Sequence, residues 1–227
     1  MKILLLEDDI AMSDFVSLTL DRHGHNVEVC RDGAVAIRKL EKSIFDLVIL
    51  DWVTPLMSGM DVLKWIRRNI GGDLPVLFLT NRVFEQYVAE ALNAGADDYI
   101  LKPIGPEVLL ARVKSNTRRA KLDREIPELI EIGGYILDDK IKGAYLNGVK
   151  IPLTEKEFGL ATILFKNLGR AVPRDHLVTL LWGKNEDMCS RSLDTHVYRL
   201  RSKLALRAEN GMALKSVYTI GYRLERI

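Results

Sequence analysis

FDLVILDWVTPLMSG, residues 45–59, carries the reading of the N-terminal half. The expected strand, 46–50, is too short for a helix and nearly free of polar alternation, so it is expected to be buried on both faces, as in a parallel sheet. It stops at Asp51, and the turn formers Thr54-Pro55 and Ser58-Gly59 precede a helical pattern at 62–70. The neighbouring segments repeat the design. KILLLEDD, residues 2–9, is an apolar run (3–6) stopped by three acids and followed by a helical pattern at 10–22, closed by Gly24. Strand 27–30 leads to helix 34–40, strand 75–79 to helix 84–93 ending at Gly95, and strand 99–101 to helix 106–119 with a proline near its start. Five repeats of strand then helix predict an α/β doubly wound five-stranded parallel sheet with helices on both faces.

Apolar periodicity lapses at KLDREIP, residues 121–127, a short linker between domains spanning 1–120 and 128–227. The second half opens with strands at 130–132, 135–137, 144–146 and 149–151, with Asn147-Gly148 as a hairpin signal. Thr154 and Glu157 have capping-box spacing and open a helix that carries Phe158, Leu160, Ile163, Leu164 and Leu168 and stops at Gly169. Helices at 174–181 and 190–207 follow. Val217 and Tyr218, then 222–224, close a hairpin around Gly221. Strands, three helices and a terminal hairpin predict an α+β winged helix-turn-helix.

With 227 residues, 48% of them hydrophobic and 28% charged, the chain is long enough for two domains that each bury a core. Cys30 and Cys189 stand far apart without metal-ligand spacing, which suits a reducing compartment. No signal peptide or membrane-length apolar run is expected, so the reading is cytoplasmic, with no membrane partner. The net charge of +2 divides unevenly: residues 1–120 hold 15 Lys/Arg against 17 Asp/Glu, and 121–227 hold 18 against 14. In the expected helix 190–207, Arg191, Arg199, Arg201, Lys203 and Arg207 face one acid, Asp194, a balance that suits a phosphate-bearing partner or a solvated face.

Ligands of a doubly wound sheet bind at the carboxyl ends of its strands, where the strand order reverses. Glu7, Asp8 and Asp9 lie at the first such end, Asp51 at the third, Thr80 at the fourth and Lys102 at the fifth. Converging acids repel unless a cation lies between them, and hard oxygen donors without Cys or His favour magnesium, Mg2+. A lysine and a hydroxyl beside it can hold the oxygens of a transferring phosphoryl group while a carboxylate acts as nucleophile. Singly, Asp51 reads as a turn residue, Thr80 as a helix cap, Asp9 as helix-start charge and Lys102 as solvated; the required types at four strand ends together point to acyl phosphate chemistry.

KILLLEDD, FDLVILDWVTP, PVLFLT and ADDYILKP, in this order, resemble the response-regulator receiver family over residues 1–120, whose fold is flavodoxin-like. The resemblance implies that Asp51 is phosphorylated, that Asp8, Asp51 and the carbonyl of Val53 bind magnesium, and that Glu7 completes the acid pocket. Thr80 would then bond the phosphoryl group, Lys102 would pair with its oxygens, Tyr99 would move with Thr80, and the Lys102-Pro103 bond would be cis. Ser58 stands where the family usually has Asp, and Asn81 where it has a small residue, which bears on the lifetime of the phosphorylated state.

From 128 onward, LTEKEFGLATIL, VPRDHLVTLLWG, RSLDTHVYRLRSKL and SVYTIGYRL resemble the winged-helix effectors of the OmpR/PhoB subfamily. Leu193, Val197, Leu200 and Leu204 recur at helical spacing and should face the core. Arg199 and Asp194 are then the candidates for reading bases, with Arg191, His196, Arg201 and Lys203 on phosphates. Trp52, Trp65 and Trp182 read as packing residues. In the wing, Tyr218-Thr219 replaces the usual Arg-Gly, which leaves Arg223 or Arg226 for phosphates. The resemblance further implies a homodimer when phosphorylated, through the fourth helix, fifth strand and fifth helix of the receiver. Asp97, Asp98, Arg112, Arg118 and Arg119 are its charges there, while Val88 and Val108 replace a usual ion pair. Implied partners are a cognate sensor histidine kinase, promoter double-stranded DNA and, as a further candidate, RNA polymerase. Two other readings, a constitutive DNA-binding protein and an aspartyl-phosphate phosphatase, stand behind this one: the first predicts loss of Asp51 or Lys102, and the second needs an acid–base residue that Trp52 and Val53 do not supply.

Overall fold

The apolar runs pair as the periodicity predicts. A computed structural model describes residues 1–122, 129–183 and 190–227, with backbone alone for 118–122, 190 and 191. It divides into two compact units, Met1–Asp123 and Arg124–Ile227; most of the expected linker, 123–127, lies outside the described residues.

In the first unit β1 (Lys2–Leu6), β2 (Asn26–Cys30), β3 (Leu47–Leu50), β4 (Val76–Thr80) and β5 (Asp98–Leu101) form one sheet of order β2-β1-β3-β4-β5. Every neighbouring pair is parallel. Alternate residues sort to opposite faces, and both faces are buried. Leu4, Leu6, Val48, Leu50, Val76 and Phe78 share a core with α2 (Gly33–Lys42), α3 (Gly59–Asn69) and α4 (Glu85–Asn93). Ile3, Leu5, Leu47, Ile49, Leu77 and Leu79 pack instead against α1 (Ile10–Asp21) and α5 (Pro106–Leu122). Three of these helices, α1, α2 and α3, start where side chains satisfy their first amides: Asp9 accepts from Met12 N, Asp32 from Val35 N, and Ser58 forms a capping box with Asp61.

The second unit begins with the antiparallel sheet β6 (Leu129–Ile132), β7 (Tyr135–Asp138), β8 (Gly143–Leu146) and β9 (Val149–Ile151). Asn147 and Gly148 both have positive φ, 50° and 80°, as a two-residue hairpin turn of this hand requires. The capping box of Thr154 and Glu157 opens α6 (Glu155–Lys166). A short strand absent from the sequence reading, β10 (Ala171–Pro173), then leads into α7 (Arg174–Trp182) and α8 (Ser190–Lys203). β11 (Met212–Val217) and β12 (Gly221–Arg226) close the chain as a hairpin, with order β10-β12-β11. The hairpin is longer than expected.

α8 also ends earlier than the expected 207. Leu206 N bonds Arg201 O and Ala205 N bonds Ser202 O, with Ala205 at φ 45°. This is a Schellman closure, in which Leu206 turns back and is buried. Arg207 therefore lies beyond the helix. No helix among the described residues is long and apolar enough to cross a membrane.

Candidate functional site

Parallel register builds the pocket. Leu6 lies beside Leu50, so the residues that follow them, Glu7 and Asp51, emerge together where the strand order reverses. Thr80 pairs with Leu101, and Lys102 N bonds Thr80 O at 2.9 Å, which brings the lysine to the same edge. The Lys102-Pro103 peptide is cis. Lys102 Nζ lies 2.6 Å from Asp51 Oδ2 and 2.7 Å from Glu7 Oε2. Carboxylate oxygens of Glu7, Asp8 and Asp51 lie within 4.8 Å of one another, close enough to hold one metal ion. Three carboxylates against one ammonium leave a formal charge of −2, which suits a divalent cation, and the donors are all hard oxygens. Asp51 Oδ1 also accepts from Val53 N at 3.3 Å. Asp9, by contrast, is taken up in capping α1.

Burial pushes the Glu7 carboxyl above its ordinary range, against the pull of Lys102. Burial lowers the tendency of Lys102 to hold its proton, but hydrogen bonds to Asp51 and Glu7 outweigh it, so the ammonium is held more firmly than usual. Gly59 is required beside the pocket, because a Cβ there would collide with the Asp51 carbonyl oxygen.

Thr80 is buried, and its hydroxyl accepts from Arg82 N at 3.4 Å. Tyr99 donates its hydroxyl to Arg82 O at 2.8 Å. Its ring lies 6.0 Å from that of Phe78, which in turn lies 5.3 Å from Trp52; Trp52 meets Tyr87 of α4 edge-on at 5.5 Å. The sequence reading omitted Arg82 and Tyr87, whose roles come from a backbone carbonyl and a ring face and carry no motif. Trp52 is buried and Trp65 packs on the same core, while Trp182 meets the His196 ring edge-on at 5.3 Å.

On α8 Leu193, Val197 and Leu200, and just past its end Leu204, are fully buried. Arg199 is exposed. Asp194 is engaged within the unit, accepting from Arg174 Nη1 at 2.7 Å and from the Tyr222 hydroxyl, and the Arg174 hydrogen bond holds its carboxyl below the ordinary range. Arg201 donates to Leu214 O at 2.8 Å and Ser216 Oγ at 3.2 Å, which anchors it on β11. Lys203 pairs with the buried Glu157 at 2.7 Å, and His196 Nδ1 lies 2.7 Å from Ser192 O. Arg174, Tyr222 and Glu157 were missed as partners because they lie far away in sequence. The Arg191 side chain, like those of Arg118 and Arg119, lies outside the description.

At the other expected surface, Val108 is exposed and Val88 half-buried. Arg112 bonds Asp98 at 3.2 Å. Asp97 is turned inward, bonding Arg67 Nη2 and Val76 N at 2.8 Å each.

A doubly wound sheet with three acids and a lysine at its switch point, followed by a winged helix, defines a class of proteins: receivers of phosphoryl groups coupled to DNA-binding effectors. Residues 3–114 match the family described as response regulator receiver domain, and 148–224 the family described as transcriptional regulatory protein, C terminal. The sensory transduction protein RegX3 of Mycobacterium tuberculosis is 34% identical over 225 residues, covering 98% of each chain. The DNA-binding response regulator MtrA of Mycolicibacterium paratuberculosis is 33% identical over 222 residues, covering 98% of this chain and 97% of its own. A CheY-like receiver domain protein from Methanospirillum hungatei superimposes with a TM-score of 0.51 at 28% identity, over 54% of this chain and 97% of that one. The chain belongs to the two-component response regulators of the OmpR/PhoB type, and is a phosphorylation-dependent DNA-binding regulator of transcription rather than a classical enzyme.

Proposed function

We propose that Asp51 is the phospho-acceptor of a receiver spanning 1–120, joined by the linker 121–127 to a DNA-binding domain at 128–227. The observation that carries this is the contact of Lys102 Nζ with both Asp51 and Glu7 at the switch point of the sheet. An Asp51 oxygen attacks the donor phosphorus; an O–P bond forms as the bond to the histidine nitrogen of a kinase, or to the leaving oxygen of a small phosphodonor, breaks with its electron pair. Lys102 transfers its hydrogen bonds to the phosphoryl oxygens, and Thr80 donates its hydroxyl to them, with Tyr99 following. Asp8, Asp51, the Val53 carbonyl and Glu7 would hold magnesium, which supplies charge neutralisation for those oxygens. Asn81, beside Thr80, sets access of water for the autodephosphorylation that ends the signal.

In the effector, Arg199 is the base-reading arginine of α8, Arg191 and His196 contact phosphates, and Asp194, Arg201 and Lys203 brace the helix at its DNA-facing edge. The phosphorylated receiver forms a homodimer through α4, β5 and α5, and the DNA-bound dimer engages RNA polymerase in the cytoplasm. Acetyl phosphate with magnesium, followed by intact mass, tests the chemistry: wild type should gain one phosphoryl group and Asp51→Asn none. An Asn variant that labels fully would move the acceptor elsewhere.

A further inference from the structure

We propose that Tyr198 is a base-reading residue of α8, its phenol ring packing against the 5-methyl group of a thymine in the major groove. The inference rests on the reading of α8 as the helix that enters that groove. A single exposed tyrosine needs no explanation by itself; its position on this helix does. At about 100° per residue, the line opposite the buried Leu193, Val197, Leu200 and Leu204 runs through Thr195 and Ser202, both short. Tyr198 and Arg199 flank that line, each about 50° from it, and the position of Arg191 lies about 30° from it; among the described side chains, Tyr198 and Arg199 are the long ones on the outward face.

The other candidates are committed elsewhere. Asp194 is held by Arg174 and Tyr222, Arg201 by the backbone and Ser216 of β11, and Lys203 by Glu157. Tyr198 is 73% exposed and makes no hydrogen bond or ring contact among the described residues. Among the described side chains, the outward face therefore presents one guanidinium, that of Arg199, and one neutral aromatic ring, that of Tyr198. A guanidinium suits the paired acceptors of guanine, whereas an uncharged flat ring has its best partner in the apolar methyl that only thymine displays in the major groove.

The test uses the full chain, phosphorylated with acetyl phosphate and magnesium, to select from random-sequence duplex DNA. Wild type and Tyr198→Phe should enrich a motif with a thymine column that Tyr198→Ala loses, and Arg199→Ala should relax a different column. Replacing that thymine by deoxyuridine removes only the methyl; it should weaken wild type and the Phe variant about fourfold, the scale of one buried methyl, and leave the Ala variant unchanged. If Tyr198→Ala selects the wild-type motif while Arg199→Ala still relaxes a column, Tyr198 is not a reader and the assignment of α8 stands. A Phe variant that behaves like Ala would place the contact on the hydroxyl and overturn the methyl reading. If neither variant changes the selection, both readings fall together.

Discussion

Lys102 is the residue on which the pocket balances. Its ammonium is nearly buried and touches two carboxylates, one of which, Glu7, is fully buried. Removing one partner of a buried ion pair costs about 3–5 kcal/mol because the other charge is left without compensation. Lys102→Ala should therefore lower the unfolding free energy of the metal-free receiver by about that amount. Burial already pushes the Glu7 carboxyl upward, so much of the loss should come from this group, and adding Glu7→Gln to Lys102→Ala should recover part of it. Urea unfolding of the single and double variants gives the coupling. Additive losses would mean that the lysine does not compensate Glu7. The Ala variant should still accept a phosphoryl group on Asp51, since the proposed nucleophile is untouched, but should fail to convert phosphorylation into tighter DNA binding in a gel-shift titration.

At the scale of elements, the ion pair of Glu157 and Lys203 ties the start of α6 to the end of α8. Glu157 also closes its own capping box with Thr154. Burial raises the Glu157 carboxyl, but hydrogen bonds from Lys203 and the Thr154 amide outweigh it, and the net shift is below the ordinary 4.5. A depressed carboxyl contributes stability that is complete above the unfolded value and is lost as pH falls through the folded one. Glu157→Gln should thus destabilise the effector by about 1–3 kcal/mol near neutrality, and the deficit should shrink below pH 4.5. Urea unfolding followed by Trp182 fluorescence, with Trp52 and Trp65 replaced by Phe, reads this directly; a deficit independent of pH would assign the loss to packing. The same pair marks the boundary of what the sequence reveals. Capping box, hairpin and strand-end acids are local patterns of fixed spacing, so the sheet, the order of helices and the residues of the pocket were legible. The partner of Glu157 lies 46 residues away and has no local signature, and the same holds for Arg174 beside Asp194. The closure of α8 at Ala205 was hidden because the left-handed position carries alanine rather than glycine. β10 was hidden because three residues ending in proline make no periodic pattern.

For the whole molecule, the proposed homodimer raises the question of how a phosphoryl group on one receiver would recruit a second. The face made by α4, β5 and α5 carries Leu92, Leu101 and Val108, all exposed, and Val88, which shares a helix face with Leu92 at i, i+4 spacing. Its charges are partly spent within the protomer: Asp97 is bonded inward by Arg67 and Val76, and Asp98 by Arg112 and Asn116. An interface here would be held more by apolar burial than by ion pairs across the two-fold axis, and exposed ion pairs are what salt screens. Sedimentation of the phosphorylated protein should accordingly give a dimer whose dissociation constant changes little between low and high salt. Val108→Glu sets a charge into the apolar contact, and at about 25 cal/mol per Å² the lost burial alone should weaken the dimer roughly tenfold or more at both salt concentrations. Asp97→Ala should act differently. It removes an anchor between α3, β4 and β5 of one protomer, so the receiver should unfold at lower urea while any remaining folded, phosphorylated protein dimerises as before. A Val108→Glu variant that dimerises like wild type at both salts, or a wild-type dimer that dissolves as salt rises, would assign the interface to charges instead.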